Sequence, residues 1–235
     1  RFIPNWADGR IVQPVARAGN ELRREWGLAE TFVVGYSGNL GRAHDTETML
    51  AAIRLTASLA TAPEMALAGG PDATGSKPAM PSIGWLFVGG GQQMAKLKAE
   101  TEQRGDRNVR FQPYQPRERL SESLSGPDVH LISLRPGLEG FIVPSKYYGI
   151  AAAGRPAIFI GDPDGEIARI LTTTGTGLVV AEGDGEGLAR TIVSLASARR
   201  TTDDMGRRAR ALFDERYDLP YAVEAWDDAI RSLRS

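Results

Sequence analysis

Residues 140–156 read GFIVPSKYYGIAAAGRP. Upstream, an apolar run from Val129 to Leu134 ends in the loop RPGLEG. Pro144-Ser145-Lys146 then opens a small-residue helix that stops at Gly154-Arg155-Pro156. Proline just inside a helix start and glycine just past its end is the usual asymmetry. A helix that starts after a parallel strand turns backbone N–H groups and a positive dipole end toward the space beyond the strand, which favours an anion. Ser145 and Lys146 add a hydroxyl and a cation there. A plain strand–loop–helix connection with a solvated Lys146 reads from the same residues, and local sequence does not separate the two.

Outward from this segment, apolar runs alternate with helical patterns. Strands are expected at 32–36, 83–88, 109–112, 129–134, 157–160 and 177–180. Helices are expected at 46–60, 92–103, 117–124, 165–171, 185–198, 202–215 and 219–233. Thr61 to Ser82 is rich in Pro, Gly and Ala, has no period and reads as an insertion or mobile loop. About six strand–helix repeats predict an α/β domain, a parallel sheet with helices on both faces. Ligands of such sheets bind outside the carboxyl ends of the strands, where the strand order reverses. The glycine-rich loops and the Pro-Ser-Lys loop all follow strand ends, so they converge on one crevice.

Composition sets the bounds. The 235 residues are 42% hydrophobic and 24% charged, ordinary for a globular chain. The length suits one large domain or two small ones. With 28 basic and 29 acidic residues the net charge is −1, which gives no bulk electrostatic case for nucleic acid or an anionic membrane. Cysteine is absent, and with it any disulfide frame or thiolate metal site. His44 and His130 lie far apart with no ligand-like spacing. No apolar run approaches the roughly 20 residues that span a bilayer, and no signal peptide is visible. The chain starts at Arg1 in mid-phrase, RFIPNWADGR, and is expected to follow an N-terminal partner.

Several other segments are candidates for chemistry. In Ser37-Gly38-Asn39-Leu40-Gly41-Arg42 the glycines let backbone approach a ligand, and Arg42 suits bidentate pairing with phosphate. A tight strand-to-helix turn accounts for the same residues. Gly38 and Gly41 stand three apart with no further Gly, so the pattern falls short of a dinucleotide fingerprint. Gly89-Gly90-Gly91 is either a turn or a ligand-approach loop. Pro113 and Tyr114 follow the third strand, where an aromatic either stacks on a base or caps a rim loop. Glu139 brings one carboxylate to a strand's end, for a sugar hydroxyl or for solvent. Asp162, Asp164 and Glu166 have no EF-hand spacing and read as a turn with helix N-terminal charges. The stripe Tyr221, Val223, Trp226 and Ile230 on the final helix reads as core packing, or as a surface for the N-terminal partner.

Taken in order, FIPNWAD, YSGNLGRAHDTETML, WLFVGGG, VRFQPYQP and VPSKYYGIAAAGRPAIFIGDPDGE resemble the C-terminal, donor-binding domain of the retaining GT-B glycosyltransferases of glycosyltransferase family four. The resemblance covers essentially the whole chain and points to the colanic-acid and exopolysaccharide biosynthesis subgroup. It implies one Rossmann-like domain over 1–235. Residues 1–30 are then a linker and lead-in and 216–235 a C-terminal crossover helix, with the acceptor domain outside the chain. It further implies a UDP- or GDP-sugar as donor and no metal or other cofactor. The acceptor would be a glycan or lipid-linked sugar. The location would be cytoplasmic, at the inner face of the membrane if the full-length protein associates with it peripherally. An Arg and a Lys of the family's first loop fall on Asn39 and His44 here, so Arg42 and Lys146 are the candidates for the missing charge. Two family glutamates fall on Phe141 and Gly149, and Glu139 is the candidate substitute. On this reading Lys146, Arg42 and Glu139 carry the chemistry. Gly38, Asn39, Gly41, Gly89, Gly90, Pro113, Tyr114, Ser145 and Lys146 hold the donor. A catalytically silent nucleotide-binding scaffold and a sugar-nucleotide 2-epimerase of the same fold remain as alternatives.

Overall fold

The structure is a computed structural model that describes residues 3–61 and 81–233. Six strands form one parallel sheet: β1 (Phe32–Asn39), β2 (Ile83–Gly90), β3 (Val109–Gln112), β4 (Val129–Ser133), β5 (Ala157–Ile160) and β6 (Gly177–Val180). Their order is β3-β2-β1-β4-β5-β6, which reverses between β1 and β4. This is the doubly wound, Rossmann-like arrangement.

The helices are α1 (Glu21–Glu25), α2 (Glu47–Thr61), α3 (Gln92–Arg104), α4 (Leu120–Ser125), α5 (Lys146–Ala152), α6 (Glu166–Thr174), α7 (Gly185–Ser197), α8 (Arg199–Arg216) and α9 (Leu219–Ser232). Strand residues alternate between two cores, as the two-residue period of a strand requires. Phe32, Val34 and Tyr36 of β1 and Ile158 and Ile160 of β5 pack with α2, α3 and α7. Ile132 of β4 and Phe159 of β5 pack with α5, α6 and α8 on the opposite face. Val33, Leu86 and Val88 meet α1 and Trp26. Each such side chain removed from water contributes roughly 1.5–3 kcal/mol before entropy is counted.

Pairing is uneven at the reversal. β1 pairs with β2 along its whole length, from Phe32↔Ile83 to Asn39↔Gly90. It pairs with β4 only at Val34↔Val129 and Gly35↔His130. The two central strands therefore splay toward their carboxyl ends and leave a wedge.

Several expectations shift. β1 and β2 run on into their glycine loops, because glycines lie flat enough for Gly38↔Gly89 to continue the ladder. The lead-in holds the short helix α1, whose N-cap Asn20 accepts a hydrogen bond from the Arg23 N–H. The 117–124 segment divides into a 3-10 turn and α4. The expected insertion at Thr61–Ser82 falls almost wholly outside the described residues. The aromatic stripe of α9 is not core: Tyr221, Val223, Trp226 and Ile230 are exposed and only Ala222 is buried. Among the described residues no helix is long and apolar enough to cross a membrane.

Candidate functional site

The wedge between β1 and β4 is closed at its base by the loop after β1. Ala43 accepts from the Arg135 N–H at 2.9 Å. The His44 ring Nδ1 lies 2.6 Å from the Ser133 carbonyl, and the Asp45 N–H donates to Ser133 Oγ at 2.9 Å. Three bonds thus tie the loop after β1 to the last residue of β4 and to the loop beyond it.

Lys146 lies in this wedge. Its Nζ is 5.1 Å from the centroid of the Tyr36 ring, a cation–π distance. A Cβ at Gly38 would come 2.9 Å from Lys146 Cε. Gly38 has φ 120°, so both its conformation and its missing side chain serve this approach. Among the described residues Lys146 makes no ion pair, and burial pulls its pKa below the usual lysine value. The Tyr36 hydroxyl donates to the Asn39 carbonyl at 2.9 Å, and His44 meets the same ring edge-on at 5.8 Å. Burial, then the Lys146 charge, hold the His44 pKa down, opposed by the Ser133 and Asn39 carbonyls. A cation is therefore held against an aromatic face with its charge uncompensated.

A cleft of about 370 Å³ opens beside it, lined by Lys146, Ser145, Ser37 and the lead-in residues Trp6 to Asp8. Ser37 Oγ is buried with no hydrogen-bond partner, a polar atom on the cleft wall with capacity to spare.

The glycine loops form the neighbouring floor. A Cβ at Gly91 would stand 2.5 Å from the Leu40 carbonyl oxygen, and one at Gly89 would collide with the Gly38 carbonyl. The loops after β1 and β2 are laid main chain on main chain. The Tyr114 ring lies along this floor, 3.1 Å and 3.5 Å from where Gly89 and Gly90 would carry Cβ atoms, and is 62% exposed.

The other sequence-derived residues are placed as follows. Arg42 is exposed, and its Nε donates to Gln92 Oε1 at 3.2 Å, toward the start of α3 and not toward Lys146. Asn39 is exposed, with its side-chain amide 3.5 Å from the Gly41 Cβ direction. Pro113 is exposed and its carbonyl accepts from Gln115 Nε2. Ser145 is exposed, but its N–H already donates to the Val143 carbonyl at 2.8 Å, while the Lys146 N–H has no backbone partner. Helix α5 has seven residues, starts at Lys146 rather than Pro144, and has no side-chain cap. Its dipole is correspondingly small, and the lysine side chain is the stronger anion-binding feature.

Glu139 turns away from Lys146. Its Oε1 is buried without a partner where a Cβ on Gly165 would collide with it, at the start of α6. Burial and Asp162 push its pKa up, and the Glu166 N–H counters them. Asp162 Oδ1 accepts from the Asp164 N–H, so this turn is closed on itself. The structure therefore gathers Lys146, Gly38, Ser145 and the glycine floor, and leaves Arg42 and Glu139 on its margins. Tyr36 and Ser133 were not singled out in the sequence, and Ser37 was named there only as the first residue of its segment. The hydroxyls of Tyr36 and Ser37, at the end of an apolar strand and just before glycine, were the available signal.

The profile of the glycosyl transferases group 1 family matches residues 20–212. Over its full length the chain is 26% identical to a probable glycosyltransferase, WbjE, of Pseudomonas aeruginosa, and covers 52% of it. Over 73% of its length it is 28% identical to the putative colanic acid biosynthesis glycosyl transferase WcaI of Escherichia coli K12, and covers 37% of that protein. The chain thus spans about half of the first relative and less of the second. Among solved structures, Alr3699/HepE of Anabaena, in complex with UDP and glucose, superposes over 99% of this chain and 57% of its own, at 16% identity and a TM-score of 0.74. That likeness shows the shared fold.

Proposed function

The chain belongs to the group 1 glycosyl transferases, and on that premise we propose that it is the half of a retaining GT-B hexosyltransferase that binds the nucleoside diphosphate sugar. The observation that carries this reading is Lys146, an uncompensated cation on the Tyr36 ring at the point where the strand order reverses. A UDP- or GDP-sugar places its diphosphate there. Ser37 Oγ and the Lys146 N–H supply hydrogen bonds, and the glycine floor lets the phosphates approach closely. As the bond from the sugar's anomeric carbon to the diphosphate oxygen breaks, its electrons stay on the diphosphate, and the fixed ammonium stabilises that growing charge. Tyr114 flanks the base. The N-terminal half of the full-length protein brings the acceptor, a glycan or lipid-linked sugar of cell-surface polysaccharide, and transfer requires both halves. No metal is needed for this charge stabilisation. The place of action is the cytoplasm or the inner membrane face.

The orientation of Glu139 toward α6, with Phe141 and Gly149 in the glutamate positions, supports a second reading: a nucleotide-binding domain without transferase activity. Calorimetric titration with UDP, GDP and ADP tests the shared part. UDP or GDP is expected to bind, and Lys146→Ala to weaken it by about tenfold, roughly 1.4 kcal/mol. Absence of binding by all three at millimolar concentration would defeat both readings. Transfer by the full-length protein, from the nucleotide-sugar to a lipid-linked acceptor, separates the first reading from the second. A soluble 2-epimerised sugar formed without acceptor would replace both.

A further inference from the structure

We propose that the amino-terminal pole of the sheet, on the opposite edge from Lys146, carries a second anion site for a small phosphorylated ligand with at least two acidic groups. This inference does not rest on what the crevice binds.

A cavity of about 550 Å³ opens at the starts of β1, β4 and β5, between the lead-in segment, the Gly154-Arg155-Pro156 turn and the first turns of α8. Its wall carries the guanidinium groups of Arg17, Arg155, Arg199 and Arg207 against the carboxylates of Asp128 and Asp203. Asp128 is already engaged. It accepts from Arg23 Nη2 at 2.8 Å, from the Val33 N–H at 2.7 Å and from Arg17 Nη1 at 3.3 Å. Arg207 pairs with Asp204, which does not line the cavity.

Two guanidinium groups make no ion pair among the described residues, although Asp128 and Asp203 act on Arg155 at longer range. Arg199 lies over the Phe32 ring at 5.7 Å and makes no ion pair among the described residues. Arg155 donates through Nη2 to the carbonyls of Val15 at 3.0 Å and Ser125 at 2.7 Å, while its Nε is buried with no partner. An adjoining cleft shares Arg17 and Arg199 and adds Arg23, Arg24 and one acid, Glu30. In a chain of net charge −1 this concentration of arginine is local.

Helix α8 reinforces it. Ala198 gives no side-chain cap and the first turn holds no acid; Arg199 and Arg200 stand there instead. Cations at the positive end of an 18-residue helix have the wrong sign for its dipole. An anion in the cavity reverses that sign and takes bidentate bonds from the Arg199 guanidinium, which makes no ion pair among the described residues. The volume falls in the range of small-molecule pockets, about 300–1,000 Å³, which suits a phosphorylated ligand.

Inorganic diphosphate titrated into the chain, followed by backbone amide NMR, tests the proposal. The amides of Gly154, Arg155 and residues 199–203 are expected to shift saturably, and to do so equally in Lys146→Ala, which separates this pole from the crevice. Arg199→Ala and, separately, Arg207→Ala alter exposed side chains and leave the fold intact. Arg199→Ala is expected to weaken the response at this pole tenfold or more, whereas Arg207→Ala weakens it less. The proposal is overturned if these amides do not move at millimolar diphosphate. It is also overturned if Arg199→Ala titrates like the unaltered chain, or if only vesicles of anionic phospholipid move them.

Discussion

Arg23 and Lys146 are both cations drawn out of water at opposite edges of one sheet, and they are held in opposite ways. Arg23 is 1% exposed and donates to the carbonyls of Leu28, Gly126 and Thr31 and to Asp128. Every face of its guanidinium is used. Lys146 is half-buried, touches an aromatic face and has no counter-charge. Burial lowers the pKa of both, but Asp128 opposes the effect only for Arg23. The first arrangement binds loops together. The second leaves electrostatic capacity for something outside the chain.

The largest expected effect tests the structural side. Arg23→Ala leaves Asp128 half-buried without its main partner and is expected to cost about 3–5 kcal/mol in urea melts. A loss under 1 kcal/mol would break the contrast at its strong end.

His130 is the next test. It lies buried at the start of β4, bonded through Nε2 to the Leu124 carbonyl, and burial lowers its pKa to about 4 from 6.5. A depressed folded pKa means the unfolded chain takes up the proton first. Stability is therefore full above pH 6.5 and falls as pH drops toward 4, by about 3 kcal/mol in all. Urea melts between pH 7 and 4 measure it, and NMR titration of the His130 ring locates the folded pKa. A folded pKa near 6.5 would refute the burial argument.

Gly38→Ala puts a side chain at φ 120° and against Lys146 Cε. It is expected to destabilise by about 1–3 kcal/mol and to weaken nucleotide binding by displacing the lysine. Unchanged UDP affinity in a folded Gly38→Ala protein would remove Lys146 from the site.

The smallest effect is the most diagnostic. Lys146→Met is expected to leave stability unchanged or raised by up to about 1 kcal/mol, because a cation burdened by burial has gone. Without ligand, stability of the unaltered chain should rise as pH passes from the depressed Lys146 pKa to 10.5, where both states are neutral. UDP affinity should fall over the same window. Parallel melts and titrations of both proteins separate Lys146 from other alkaline groups. A Lys146→Met protein several kcal/mol less stable would make this lysine another Arg23.

The six strands were legible because most contain a short apolar run bounded by turn residues, as in AIFI at 157–160, while the half-polar VRFQ at 109–112 stood out by its place in the strand–helix alternation. Strand ends were less legible, since glycine reads as a loop whether or not it pairs. The place of the Pro-Ser-Lys turn after β4, next to the reversal of strand order, could be read from its position after an apolar run. The partners of Lys146 were hidden, because Tyr36 and Ser37 lie more than 100 residues away in sequence and only the reversal of strand order brings them near. The direction of Glu139 was hidden for a similar reason: a carboxylate in a loop shows no direction, and here it faces the start of α6. The exposed stripe on α9 kept the periodicity of a core helix while having no partner among the described residues.

The floor beside Lys146 is built where Gly89 and Gly91 press against the carbonyls of Gly38 and Leu40. Such a surface carries no side chain to exchange, and almost any replacement there adds a Cβ where no room exists. Variation and protein engineering alike are therefore shut out of the floor. Exchange is left to the side chains around it, such as the exposed Tyr114 ring that lies along the floor. The crevice is a casting mould with a fixed base and exchangeable sides.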